Sequence, residues 1–309
     1  MTEGAAGMTR RDCLLSLAGA AALGGCRSLV DVFGAGWKLS LNPSTVRDFK
    51  LPFAEQVRLA AATGWNGIEP WLKDLWAAKR DGSLKDAVAR ARDAGLAFVN
   101  GIAFGSWAAD DPAARAKGLE ETRRDMELLA EIGCPLVAAS MFGVHKPGAR
   151  KLRAEEIAER YAAVLDLGRR TGVRPLLEYW GHSANLSRPE DAVAVLRLLN
   201  RDDAAVLPDV FHTWKGGGDF AALAALCPSE LPVLHVNDFP VGAERAKTTD
   251  ADRVWPGDGG ADWPQVFATL AASGVRPWLS LELFNASYQA ATPEWTLRTG
   301  LAKTRSVIS

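Results

Sequence analysis

The sequence predicts an α/β fold, a single closed (β/α)8 barrel, and three observations carry the prediction. Eight apolar runs bounded by Gly, Pro or Asn alternate with longer stretches of helical periodicity, the pattern of a parallel sheet covered by helices. Four of the later runs end in an acidic or imidazole side chain, which is where such a barrel carries its chemistry. The chain has 309 residues, 48% hydrophobic and 24% charged, enough for one barrel of about 250 residues with additions.

The strand runs are 37–42, 67–71, 98–104, 136–142, 175–180, 205–211, 233–237 and 278–284. Between them, 53–63, 84–94, 115–132, 154–171, 189–199, 220–226, 263–272 and 293–308 repeat apolar residues at three- and four-residue steps, mostly with charged residues opposite. Gly64, Gly95, Gly133, Gly172 and Gly274 each follow the last helical turn, as left-handed capping residues do. The run Gly216-Gly217-Gly218 lacks the spacing of a phosphate-binding loop and reads as a flexible turn out of the sixth strand.

Residues 1–25 stand apart. Arg10-Arg11 precedes a short apolar run, and Leu23-Gly24-Gly25-Cys26 closes it. Charged start, apolar middle and small residues before a cleavage point make an export signal of twin-arginine type, too short to span a bilayer. Its last residues resemble a bacterial lipobox. The expected product is an exported, periplasmic or membrane-anchored lipoprotein, touching membrane only through a lipid on Cys26, with a tether over 26–36 and the barrel over 37–309. Cys134 and Cys227 fall before different strands and are not expected to bridge.

Net charge is -1 and the 36 basic residues form no block, which excludes nucleic acid as the main partner and leaves a small molecule. Glu178, Asp209, His235 and Glu282 close the fifth to eighth strand runs. One inward side chain per strand brings these four to one half of the barrel mouth. Three carboxylates there need a neutralising cation, and with one imidazole they suit one divalent ion, Mn2+ or Mg2+ first, with Zn2+ or Co2+ also compatible.

The motifs Gly67-Ile-Glu69, Leu177-Glu178, Asp209-Val-Phe-His212, His235-Val-Asn-Asp238, Arg253-Val-Trp-Pro-Gly-Asp-Gly259 and Leu281-Glu282-Leu-Phe-Asn285 occur in order along almost the whole barrel. With them the chain resembles the xylose isomerase-like superfamily of TIM-barrel sugar phosphate isomerases and epimerases. The resemblance implies a metal held by Glu178, Asp209, His235 and Glu282. It also implies that Glu178 and Glu282 exchange protons with opposite faces of the substrate. A polarised carbonyl acidifies the neighbouring C–H, and a carboxylate within reach removes that proton to give an enediolate.

His212, Arg253, Asp238 and Trp180 are the expected substrate-binding residues. Glu69, Trp71, Trp107, Trp214, His145 and His182 also fall near strand ends. The function expected is a metal-dependent isomerase or epimerase of a sugar, keto-sugar or cyclitol. The alternatives are a keto-glycoside lyase or dehydratase on the same metal site and a non-catalytic sugar-binding lipoprotein. A homo-oligomer is left open. A multi-zinc endonuclease site is not, because the chain has only four histidines and no basic groove.

Overall fold

The computed structural model describes residues 36–308. The expected leader, the lipobox cysteine and all of the tether but Gly36 lie outside them. Eight strands form: β1 (Leu39–Leu41), β2 (Gly67–Ile68), β3 (Ala97–Phe98), β4 (Leu136–Ser140), β5 (Arg174–Glu178), β6 (Val206–Leu207), β7 (Val233–Val236) and β8 (Trp278–Leu281). Around them run α1 (Phe53–Thr63), α2 (Leu72–Asp81), α3 (Leu84–Asp93), α4 (Pro112–Glu131), α5 (Ala154–Thr171), α6 (Pro189–Leu199), α7 (Val210–Lys215), α8 (Trp263–Ala272) and α9 (Pro293–Ser306).

Every strand ladder is parallel. One sheet has the order β3-β2-β1-β8-β7 and the other β4-β5-β6. Single bridges, Gly101 with Val137 and Asp209 with His235, join the two and close the barrel. The second of these joints lies between two expected metal ligands, so closure and site geometry are one constraint.

The core divides as a barrel requires. Val99, Ile102, Ala138, Leu176, Ala205, Leu207 and Val233 cluster by themselves in one group. A much larger cluster, with Leu59, Leu75, Met126, Leu165, Leu196, Phe267 and Leu297, packs the helices. Burying both is the main source of stability. The five glycines expected to end helices all take positive φ, between 64° and 91°.

Four expectations change. The strands are shorter than their apolar runs, because the carboxyl ends leave the ladder to shape the mouth. The sixth run breaks at Pro208, which has no N–H to donate, and Asp209 then caps α7 by accepting from the His212 backbone N–H at 2.7 Å. The run 220–226 winds as a 3-10 helix, Phe220–Ala225. Helix α2, with Leu72, Leu75 and Ala78 as its buried stripe, has no counterpart among the expected helices.

The glycine run is not a loose turn either. A Cβ on Gly216 would collide with the Ser187 carbonyl, and one on Gly218 with the Pro189 ring. These glycines permit close backbone approach.

Candidate active site

Register sets the depth of each side chain. Glu178 pairs with Leu207 across β5 and β6, Asp209 with His235, and His235 with Ser280 on β8. Glu282 follows two residues later, so all four expected ligands face one region. Asp209, His235 and Glu282 each bring one ligand atom to within 4.8 Å of the others. Nδ1 of His235 is the centre, 3.3 Å from Glu282 Oε2, 3.8 Å from Asp209 Oδ2 and 3.9 Å from Glu178 Oε1.

The ring of His235 is fully buried, and neither Nδ1 nor Nε2 meets a directed hydrogen-bond partner among the described residues. A buried polar atom aimed at three carboxylates marks a place for a cation. Burial works against charge on this ring, yet the Glu282 and Glu69 carboxylates raise its pKa well above the ordinary range. A divalent ion satisfies the same demand, with oxygen and nitrogen donors of the right kind.

Glu69 stands behind His235, with Oε2 3.0 Å from Nε2. It accepts from Asn100 Nδ2 at 2.9 Å and from Ser280 Oγ at 2.5 Å. A carboxylate at Nε2 favours the tautomer that carries its proton there and leaves Nδ1 free as a ligand. Glu69→Gln is therefore expected to weaken divalent-metal affinity about 10–100-fold with the fold retained, read by competition with a chromophoric chelator. Unchanged affinity would mean that the ring needs no such support.

Each carboxylate is held differently. Asp209 uses Oδ1 as the helix cap, while Oδ2 accepts from Asn237 Nδ2 at 2.7 Å and from Arg253 Nη1 at 3.0 Å. Glu282 accepts from Asn42 Nδ2 at Oε1, 2.9 Å, and from Arg253 Nη1 at Oε2, 3.0 Å. Burial pushes Glu178 up to about 8, with Glu282 and Asp209 adding to the rise against the pull of His235. Burial also disfavours the Glu282 carboxylate, but His235 and Arg253 outweigh it and hold its pKa well below the usual range.

Arg253 is the expected substrate residue whose surroundings differ most from a loop arginine reaching over the mouth. It is 1% exposed. Its guanidinium joins Asp209 and Glu282 to Asp250 Oδ1, at 2.6 Å, and to His212 Nε2, at 3.1 Å. The rings of Phe211 and Phe284 flank it, 4.7 and 5.0 Å from their centroids. Arg253 and the His235 ring are the two cations set among Glu69, Asp209, Asp250 and Glu282, so the site stays acidic.

A cavity of about 230 Å3 opens over this cluster, lined by Trp71, Ile102, Phe104, Glu178, Trp180, His182, His212, Asp250, Arg253, Glu282 and Phe284. His212 and Trp180 thus stand where the sequence places them. Burial lowers the His212 pKa to about 4, so the ring is neutral at ordinary pH and faces the cavity as an uncharged hydrogen-bonding group.

Asp238 is a correction. Its carboxylate is fully buried and spent inside the following loop, accepting from the N–H groups of Phe239, Gly257 and Ala261 and from Trp263 Nε1 at 2.9–3.0 Å. Asp238 also bridges Val254, the residue after Arg253. Its work is to fix the loop that delivers the guanidinium, because a carboxylate can accept from several donors at once. Of the other aromatics, Trp71 and His182 reach the cavity. Trp107 packs on Tyr161, Trp214 stacks on Phe239 and His145 on Phe142, none of them lining it.

The same loop gives a stability prediction. A Cβ on Gly259 would collide with the Phe239 carbonyl and the Asp238 carboxylate. Gly259→Ala is expected to cost about 1–3 kcal/mol by overpacking, seen as a lower urea midpoint. A midpoint equal to wild type would show that the loop yields freely.

Asn42 and Asn237 escaped the sequence reading. Each sits one residue past its strand, and an amide gives no charge signal.

Residues 57–307 match the xylose isomerase-like TIM barrel. The chain belongs to that family. It is 30% identical over 201 residues to the inosose isomerase of Bacillus velezensis, covering 62% of this chain and 67% of that protein. It is also 30% identical over 244 residues to the 3-dehydroshikimate dehydratase of Pseudomonas aeruginosa, covering 77% of this chain and 37% of that longer protein. The crystal structure of the IOLI protein with a zinc atom bound superposes with a TM-score of 0.80 at 24% identity, over 88% of this chain and 98% of that one. The E. coli 3-keto-D-glucoside 4-epimerase YcjR gives 0.68 at 20% identity, over 88% and 100%. At these identities the two structures speak for the fold.

Proposed function

We propose that this protein is a divalent-metal-dependent isomerase or epimerase of a sugar, keto-sugar or cyclitol. The observation that carries the reading is the orphaned Nδ1 of buried His235 between the carboxylates of Glu178, Asp209 and Glu282. These four residues would hold the ion, Mn2+ or Mg2+ first, with Zn2+ or Co2+ compatible with the same donors. When bound, the ion polarises a carbonyl and its neighbouring hydroxyl.

The side chains supply the rest. Glu178 and Glu282 come from β5 and β8, on either side of the pair formed by Asp209 and His235, so one carboxylate addresses each face of a ring in the cavity. One removes the proton beside the carbonyl, giving an enediolate, and the other returns a proton. Return to the same carbon from the opposite face inverts it, and return to the adjacent carbon isomerises it. Arg253 holds Asp209 and Glu282 in place, while neutral His212 offers a hydrogen bond to a substrate hydroxyl. Trp71, Phe104 and Trp180 present apolar surfaces to sugar C–H groups.

The test is incorporation of solvent deuterium beside the carbonyl by metal-replete protein, with product mass measured. A mass-neutral product apart from the label fits isomerisation or epimerisation. Loss of water or an aglycone would favour a lyase, which the dehydratase relative keeps in view. No exchange with any keto-sugar or cyclitol would leave a binding protein.

The proposal extends to export. The order Arg10-Arg11, short apolar run, Leu23-Gly24-Gly25-Cys26 supports a lipid-anchored mature chain beginning at Cys26. Cys26→Ser is expected to move the protein from the membrane to the soluble fraction. An intact mass that still includes Met1 in the native host would rule the leader out.

A further inference from the structure

The wall of the site cavity that carries Trp71, Ile102 and Phe104 has a second face. Beyond it, between α2 and α4, lies a groove of about 590 Å3 that shares those three residues with the inner cavity and adds Trp76, Arg80 and Arg124. The inner volume of about 230 Å3 falls below the roughly 300–1,000 Å3 usual for larger ligands, so it takes one ring. The outer groove has room for another.

The groove is built in advance of any ligand. Trp71 and Ile102 pair as a parallel bridge beyond β2 and β3, with Leu72 N–H donating to the Ile102 carbonyl at 3.1 Å. Trp76 Nε1 donates to Asp125 Oδ1 at 2.6 Å, and Lys79 Nζ to Glu131 Oε2 at 2.5 Å, so α2 and α4 are tied together along its length. On the ridge between the two spaces stands Phe104, 40% exposed although its ring packs on Trp71 and Trp180. A large apolar side chain left open at a site mouth marks a contact surface for something carried into it.

The groove is lined by three basic residues, Lys73, Arg80 and Arg124, and two acidic ones, Glu121 and Asp125, the latter held by Trp76. Lys73, Arg80 and Arg124 are exposed and form no ion pair among the described residues; Lys73 instead lies over the Trp71 ring at 5.0 Å and Arg124 over Trp76 at 5.4 Å. Cations held over aromatic faces, with N–H donors to spare, suit a hydroxyl-rich partner that also has an apolar face.

We infer that the substrate is a glycoside: the reacting ring occupies the inner cavity, and the ring attached to it crosses Phe104 into the groove between α2 and α4, where Arg80 and Arg124 hold its hydroxyls. The sugar chemistry of the inner ring rests on the function proposed above. The outer site stands on its own geometry.

Titration calorimetry of the full chain loaded with Mn2+ tests it, with D-fructose as the single ring and the ketose disaccharides turanose, lactulose and isomaltulose as linked probes. At least one disaccharide is expected to bind about tenfold tighter than fructose, the worth of one charge-assisted hydrogen bond. Arg80→Ala with Arg124→Ala should remove that advantage and leave fructose binding unchanged. Both are exposed helix positions that tolerate alanine. Glu121→Trp, filling the groove from its rim, should do the same without altering those cations. The inference is overturned if no disaccharide outbinds fructose, or if the variants weaken fructose and disaccharide alike. Binding is read without turnover, so failure of deuterium exchange would sink the isomerase reading while these affinities still decide the outer site.

Discussion

Glu282→Gln is expected to lower hydrogen exchange beside the substrate carbonyl by about 10²–10⁴-fold, the contribution of a positioned general base. The amide keeps the shape and one oxygen of the carboxylate but cannot accept the proton. In the wild type, Oε1 takes a hydrogen bond from Asn42 and Oε2 one from Arg253. The new NH2 must face one of these donors, so a modest loss of stability accompanies the loss of exchange. Glu178→Gln provides the comparison, since among the described residues no such pair of donors holds that side chain and exchange should fall with little change in unfolding. Both variants are to be assayed metal-replete, with metal content measured on the same sample. Wild-type exchange by loaded Glu282→Gln would make Glu282 a ligand only and end the two-carboxylate mechanism.

Arg253→Ala is expected to destabilise the protein by about 3–5 kcal/mol, because removing one partner from a buried ionic cluster strands the others. The group is 1% exposed and contacts Asp209, Glu282 and Asp250. Arg253→Lys recovers only part, since an ammonium cannot span three acceptors as a planar fork does. Urea unfolding in the presence of chelator reads the loss directly. Added Mn2+ binds the native state and replaces some of the missing positive charge, so it should raise the midpoint of the alanine variant more than that of the wild type. A chelator-treated variant as stable as wild type would show that the carboxylates do not depend on this guanidinium.

The legible parts of the site were those with a charge signal at a strand end. Glu178, Asp209, His235 and Glu282 are ionisable groups closing apolar runs, and a carboxylate in a buried strand has no cheap explanation. His212 followed from its place three residues after Asp209, which the short helix α7 turns into spatial proximity. Asp238 carried the same signal and misled, because a sequence shows that a carboxylate is buried and not which donors surround it. Asn42 and Asn237 carried no signal at all.

The sequence by itself determined the eight strand–helix alternations, the glycines that end the helices and the four side chains that meet at the mouth, because hydrophobic period, turn chemistry and strand ends are local properties. Only the tertiary structure decided that Arg253 lies buried among Asp209, Glu282 and Asp250, that Glu69 backs His235, and that a groove between α2 and α4 opens beside the cavity. Those facts join residues far apart in the chain, as Glu69 and His235 are, and such neighbours exist only once barrel closure fixes the register.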